Sequence, residues 1–226
     1  MTTKHLVEGV SHHALSKPWT FSYCIPSGQG KSNIAWEKFI HPLTDFSSYE
    51  DFFAIYNSIE PPSDLPKACR YYVFQKGIQP MWEDQANQNG TQYTVEIPNP
   101  NEKNKEKGVI LEAQNKWLDL VLSVFTTFPV DKINGIEYNN RGTTIRLGVW
   151  TRKLENDKEK DEIAAKIKEV LGPLGNNLEA KPMQTAPANE NQPRKNGGRG
   201  HNDRRPKSSN QNHKPKQRND HPHPNK

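Results

Sequence analysis

Glu112-Ala113-Gln114-Asn115-Lys116-Trp117-Leu118-Asp119-Leu120-Val121-Leu122-Ser123-Val124-Phe125-Thr126-Thr127-Phe128 is the stretch that decides the fold. At ~100° per residue, Trp117, Leu120, Val121, Val124, Phe125 and Phe128 share one stripe, the pattern of an amphipathic helix docked on a sheet. Leu118 and Leu122, an i, i+4 pair, lie at or beyond the edge of that stripe and are apolar surface left over.

The flanking segments supply the sheet. Trp19 to Cys24 alternates large apolar with small polar residues, the period of a half-buried strand. A Pro26-Ser27-Gly28-Gln29-Gly30 turn leads to Asn33–Ile40, containing Trp36 and Phe39, which reads as the next strand. Tyr71–Gln75 and Gln92–Ile97 are strand-like, and Pro98–Gly108 is a charged, Asn/Lys-rich excursion. After Pro129 come two strands joined by Asn140-Arg141-Gly142; in the second, Ile145, Leu147 and Val149 point one way and Arg146, Gly148 and Trp150 the other. Two more helices are expected. Ser48 and Asp51 resemble a capping box ahead of a short helix carrying Tyr49, Phe52, Phe53 and Tyr56, and that helix ends before Pro61-Pro62. Asp157 caps a last helix to Leu171, with Ile163, Ile167, Val170 and Leu171 inward and Gly172-Pro173 as its stop. No strand is recognisable beyond Leu171. Strands outnumber helices and the helices are one-sided, so the expected class is α+β: an antiparallel sheet with helices on one face and the other face free for a ligand.

Composition divides the chain. Hydrophobic residues make 32% of the 226, and mean hydropathy is −0.98, too polar for the whole chain to pack around a core. From Met183 onward there is no aromatic residue and no Leu, Ile or Val, while 10 Lys+Arg face 3 Asp+Glu. That tail exceeds the chain's net +5 by itself, so the remainder is slightly acidic and a basic chain does not mean a basic fold. The boundaries expected are a flexible arm over 1–17, a folded domain over 18–182 and a basic disordered tail over 183–226. With Gly197-Gly198-Arg199-Gly200 and Arg204-Arg205, the tail is either a solubilising segment or a weak, salt-sensitive contact to RNA phosphates. Two cysteines, Cys24 and Cys69, with no secretory segment and no apolar run near the ~20 residues of a membrane span, point to a reducing, cytoplasmic setting. Their spacing is unlike a zinc site, and neither metal nor cofactor is expected.

The chemistry concentrates around Gly77-Ile78-Gln79-Pro80-Met81-Trp82-Glu83-Asp84. A tryptophan on a Gly/Pro-bounded loop is poorly hidden from water and calls for something flat to cover it. Arg146, Gly148 and Trp150 add a cation, a gap through which a ligand could approach the backbone, and an aromatic. With Trp36 and Glu83 the inventory suits a base: two indoles to sandwich it, a carboxylate to accept from ring N–H groups, and arginines for phosphates. Glu83 as a solvated charge and the arginines as ordinary surface residues are the plain alternatives. Asp84 is assigned a structural hydrogen-bonding role, and Trp19 and Trp117 belong to the core.

Four ordered motifs carry a resemblance. Tyr49-Glu50-Asp51-Phe52-Phe53-Ala54-Ile55-Tyr56-Asn57, the Gly77–Asp84 loop, Trp117-Leu118-Asp119-Leu120-Val121-Leu122, and Arg141 through Trp150-Thr151 resemble, in order, segments of the eukaryotic translation initiation factor 4E family, over roughly Leu15 to Leu171. The resemblance implies a curved antiparallel sheet with about three helices packed on its convex face and the 7-methylguanosine cap of mRNA on the concave face, making 18–182 the cap-binding domain. It implies that Trp36 and Trp82 sandwich the charged guanine, and that Glu83 accepts from its N1 and N2. The Trp82 backbone N–H would meet O6, Trp150 would stand by the N7-methyl group, and Arg141 and Arg146 would hold phosphates. A basic residue expected near the phosphates is replaced by Gln92, with Lys103, Lys105 and Lys107 as candidates to compensate.

On the convex face the resemblance implies a site for a short helix carrying tyrosine and leucine, from a 4G-type scaffold or a 4E-binding regulator, formed by His13, Leu15, Tyr49, Phe53, Leu118, Asp119 and Leu122. Here the sequence departs from the family pattern: Ala14 stands where proline is usual, Tyr49 where valine is, and Phe53 where tryptophan is, while His41-Pro42-Leu43 is a displaced look-alike. The expected function is a monomeric, non-catalytic initiation factor that couples the cap to the scaffold. The alternatives are a cap-binding repressor that competes without recruiting the scaffold and, more remotely, a nucleotide- or cap-processing enzyme, which would need a carboxylate cluster for metal or an activated nucleophile.

Overall fold

The computed structural model describes residues 12–26, 36–99 and 107–183, with only the backbone of Trp36, Glu37 and Lys107. They lie in a compact unit, Met1–Ala188; Asn189–Lys226, with most of the basic tail, lies outside the described residues, as does the Gly28/Gly30 turn.

Seven strands form one antiparallel sheet: β1 (Ala14–Cys24), β2 (Ile40–Ser48), β3 (Arg70–Gln75), β4 (Thr91–Pro98), β5 (Ile133–Asn140), β6 (Thr144–Thr151) and β7 (Glu179–Pro182), in the order β2-β1-β3-β5-β6-β4-β7. Three helices, α1 (Tyr49–Tyr56), α2 (Lys107–Thr126) and α3 (Asp157–Leu171), bury residues in one core with one face of that sheet. The class is α+β, as expected.

Alternation assigns the faces. Trp19 and Phe21 of β1, Tyr71 and Val73 of β3, Tyr93, Val95 and Ile97 of β4, Ile136 and Tyr138 of β5, and Ile145, Leu147 and Val149 of β6 join the helices in the main core. The stripe on α2 docks as its periodicity predicts, with Trp117, Leu120, Val121 and Val124 essentially inaccessible. The Trp117 ring meets the edges of Phe21 and Tyr138 and stacks on Tyr56. Helix α1 starts where Ser48 Oγ accepts from the Asp51 backbone N–H at 3.1 Å, half of the expected capping box.

Several expectations need correction. Trp36–Phe39 is a single 3₁₀ turn rather than strand, and β2 begins only at Ile40. Its two aromatics stand three residues apart, the period of that turn, whereas β2 is an edge strand exposed along most of its length and carries little apolar alternation. Strand β1 starts at Ala14, so 14–17 belongs to the sheet and not to a loose arm; Ala14 pairs with Ser48. The N-cap of α3 is Asn156, whose Oδ1 accepts from the Glu159 N–H at 3.0 Å, with Asp157 the first helical residue. Val170, expected inward, is half-buried. A seventh strand also exists past Leu171. All four residues of β7 are exposed, which is why no hydrophobic pattern announced it; the buried Met183 behind it exchanges backbone bonds with Gly90 and Asn89.

Gly135 on β5 faces away from the helices, against the Phe74 ring, where a Cβ would run into ring atoms on a buried side chain. Gly135→Ala is therefore expected to destabilise the domain by ~1–3 kcal/mol through overpacking. A thermal melt several degrees below the parent checks this, and an unchanged melt contradicts it.

Candidate ligand site on the open sheet face

The face without helices carries Cys24 of β1, Arg70, Tyr72 and Phe74 of β3, Gly135, Glu137 and Asn139 of β5, Arg146, Gly148 and Trp150 of β6, and Gln92, Thr94 and Glu96 of β4. Its apolar part is a cluster of Cys24, Tyr72, Phe74, Trp150 and Met183, against which Phe39, Ile40 and Ile78 pack. That packing brings the candidate residues together. Phe39 closes the turn that Trp36 opens, and Ile78 belongs to the Trp82 loop. Both segments are thus anchored on the patch that holds Trp150; the Trp36 side chain itself lies outside the described residues.

The Trp82 loop is built to hold an indole in the open. Gly77, with φ of +88°, starts it in a backbone conformation that side chains disfavour. Asp84 Oδ2 accepts from the Gln79 N–H at 2.8 Å and Oδ1 from the Ala86 N–H at 2.9 Å, the structural role expected of it. Asn87 Nδ2 donates to the carbonyls of Gln79 and Met81, and Asn134 Nδ2 from β5 donates to Ala86 O and Asn87 Oδ1. Both asparagines are fully buried. On this scaffold Trp82 remains 42% exposed, and Glu83 beside it is also exposed. None of the bonds that brace the loop uses the Trp82 indole.

Trp150 differs: it is 8% exposed, its ring meets the edge of Phe74, and its Nε1–H donates to Glu137 Oε2 at 3.2 Å. Glu137, 2% exposed, also accepts from Gln92 Nε2 at 3.1 Å and Asn139 Nδ2 at 3.1 Å, and stands 3.7 Å from Arg70 Nη1. Arg70 Nη1 in turn donates to the Tyr72 hydroxyl at 3.2 Å. Burial pushes the Tyr72 phenol up and the Cys24 thiol up to about 11, so both stay neutral at neutral pH. The gap expected above Gly148 as a ligand approach is occupied: a Cβ there would sit 3.3 Å from Glu137 Oε2.

The two candidate phosphate ligands are near each other and already engaged. Arg141 Nη1 donates to Glu96 Oε1 at 2.6 Å, and Arg146 Nε donates to the same oxygen at 3.1 Å. Their guanidinium groups, the Arg146 hydrogen bond foremost, hold Glu96 below the usual carboxylate range, so it is charged at neutral pH. Gln92 is spent on Glu137. Lys103 and Lys105 lie outside the described residues, as does the side chain of Lys107. Sequence reading missed Glu96, Glu137, Asn87 and Asn134. Strand alternation alone would have put Glu96 on the face of Gln92 and Glu137 on that of Gly135, because residues i and i+2 share a face.

On the helix-covered side, Leu15, Tyr49, Phe53, Leu118 and Leu122 are each partly buried against the core, and Asp119 is exposed and paired with Lys116 at 3.3 Å. His13 ties β1 to α1: its carbonyl accepts from the Tyr49 N–H at 3.0 Å, its N–H donates to Glu50 Oε2 at 2.9 Å, and its ring bonds Glu50 Oε1 at 2.6 Å. That ring holds Glu50 well below the carboxylate range, at about 2. His41-Pro42-Leu43 lies in the edge strand β2, apart from this junction. The leftover leucines of α2 are therefore half-covered rather than bare.

Among the described residues, one antiparallel sheet backed by helices leaves an open face that carries a buried indole, Arg70 and Arg146, with an exposed indole and Arg141 in flanking loops, an α+β arrangement suited to a flat, anionic ligand. The family model for eukaryotic initiation factor 4E matches residues 14–199. Eukaryotic translation initiation factor 4E of Candida albicans is 33% identical over 159 residues, 70% of this chain and 73% of that protein. Among solved structures, the complex of C. elegans eIF4E-3 with the 4E-binding protein Mextli is similar at a TM-score of 0.66 and 26% identity, covering 76% of this chain and 93% of that one. The same assembly with a cap analog is similar at a TM-score of 0.63 and 25% identity, covering 76% and 92%. This chain belongs to the eukaryotic initiation factor 4E family, whose members are translation initiation factors and not enzymes. Among the described residues, no helix is long and apolar enough to cross a membrane.

Proposed function

We propose that this protein binds the 7-methylguanosine cap of mRNA on its open sheet face and recruits a scaffold protein through its helical face, as a cytoplasmic monomer. The observation that carries the reading is Trp82, held 42% exposed on a loop braced by the Asp84 and Asn87 side chains, with that loop and the Trp36 turn both anchored on the Trp150 cluster. Trp36 and Trp82 sandwich the methylated base, Glu83 accepts from its N1 and N2, the Trp82 backbone N–H meets O6, and Trp150 stands by the methyl group. Arg141 and Arg146 take the phosphates. The cap analog in the complex of the C. elegans relative supports the ligand class. Retention on immobilised 7-methylguanosine diphosphate, with elution by free methylated but not unmethylated nucleotide, tests it; passage through the resin contradicts it.

The scaffold site comprises His13, Leu15, Tyr49, Phe53, Leu118, Asp119 and Leu122. The Mextli complex of the same relative supports a 4E-binding helix as the partner class. Tyr49 and Phe53 replace the usual side chains there, and this favours a second reading, a repressor that holds caps without the scaffold. A pull-down with the scaffold's helical segment decides between them: capture supports initiation, and no capture alongside intact cap binding supports repression.

A further inference from the structure

Resting on the cap-binding reading, we propose that Glu96 is a specificity-determining residue: its carboxylate occupies the phosphate end of the site as an internal competitor, making binding depend on the base more than on the phosphates. One carboxylate oxygen accepts from both arginines assigned to phosphate, Arg141 at 2.6 Å and Arg146 at 3.1 Å, while Oε2 accepts from the Thr144 hydroxyl at 3.4 Å. Glu96 faces Arg146 directly across the β4–β6 ladder, so the pairing is set by backbone register as well as by side-chain choice. A phosphate arriving at these guanidinium groups finds N–H donors of both already taken, and it meets a fixed negative charge whether it displaces that oxygen or uses the donors that remain. Further along the same face of β4, Gln92 is neutral and donates to Glu137, and Lys181, which pairs with Gln92 across the β4–β7 ladder, is itself bonded to Glu179 at 2.6 Å. The pairs are partly exposed, so neither is strong. A strong bond is not required, because the carboxylate opposes phosphate by its charge and stays close through the register.

The test measures binding of 7-methylguanosine and its mono-, di- and triphosphates, and of inorganic tripolyphosphate, to the full chain and to Glu96→Gln and Glu96→Lys. Gln keeps the shape and a hydrogen bond to the arginines while removing the charge. The expected result is a shallow rise of affinity with phosphate number in the parent. In Glu96→Gln the rise steepens, with about a three- to tenfold gain for the triphosphate relative to the nucleoside, and Glu96→Lys gains more. Parallel affinity series in parent and Gln variant overturn the proposal. A loss of triphosphate affinity in the Gln variant also overturns it, because Glu96 would then be orienting the arginines for phosphate. Tripolyphosphate has no base to stack. A gain in its binding without any cap response defeats the cap-binding reading while leaving the arginine competition standing, and a cap response with no phosphate-dependent gain does the reverse.

Discussion

Trp82→Ala is expected to abolish most cap affinity while leaving the fold intact. An exposed indole that stacks on a base contributes ~1–3 kcal/mol, and its face adds a cation–π term of about 2 kcal/mol when the base is cationic and desolvated. The loss is therefore about 3–5 kcal/mol, two to three orders of magnitude or more in dissociation constant. The fold should tolerate the change, because the loop is held by Asp84, Asn87 and Asn134 and not by the indole. Calorimetric titration with 7-methylguanosine triphosphate, together with a thermal melt, separates the two effects. A variant that binds as the parent does would show that Trp82 is merely an exposed side chain. One that melts far lower would show that the loop needs its indole.

Glu137→Ala is expected to cost about 3–5 kcal/mol of stability, because it leaves several donors without their acceptor at about 1–3 kcal/mol for each one that is buried. The side chains of Gln92, Asn139 and Trp150 each lose an acceptor, and Arg70 loses the carboxylate 3.7 Å from its Nη1. Unsatisfied buried donors carry their full desolvation penalty, so the damage exceeds what any single bond contributes. Glu137→Gln keeps an acceptor oxygen and should lose less. Urea unfolding of both variants measures this, and a midpoint for Glu137→Ala equal to the parent's would mean the network contributes nothing net. Because the carboxylate also holds the Trp150 indole, cap affinity should fall in whatever fraction of Glu137→Ala remains folded.

Legibility in the chain depends on what each signal measures. Helix α2 and strands β3, β4, β5 and β6 were readable because each has a buried face, and burial imposes a period on the sequence. Strands β2 and β7 lie at the sheet edges and are exposed along most or all of their length, so nothing in their composition records the pairing. The same limit applies at the ligand face. Trp82 and the arginines stand out as residue types that need a reason to be where they are. Glu96 and Glu137 do not, because a glutamate in a strand looks the same in sequence whether it faces solvent, a buried arginine or a phosphate site. Their roles come from cross-strand register, which places Glu96 opposite Arg146 and Glu137 opposite Gly148 and appears only once the strands are paired. Gly148 shows the converse error, since a gap inferred along one strand is filled by a side chain from the next.

The most direct test of cap recognition is titration of the protein's tryptophan fluorescence with 7-methylguanosine triphosphate and with unmethylated guanosine triphosphate under identical salt. Both ligands carry the same phosphates and the same guanine N1, N2 and O6 groups. They differ in the methyl group and the positive charge it confers, which is what a two-indole sandwich rewards. The predicted result is strong, saturable quenching by the methylated nucleotide at concentrations where the unmethylated one has little effect. Equal quenching by both, or none by either, would contradict a site built to sandwich the charged base at Trp82.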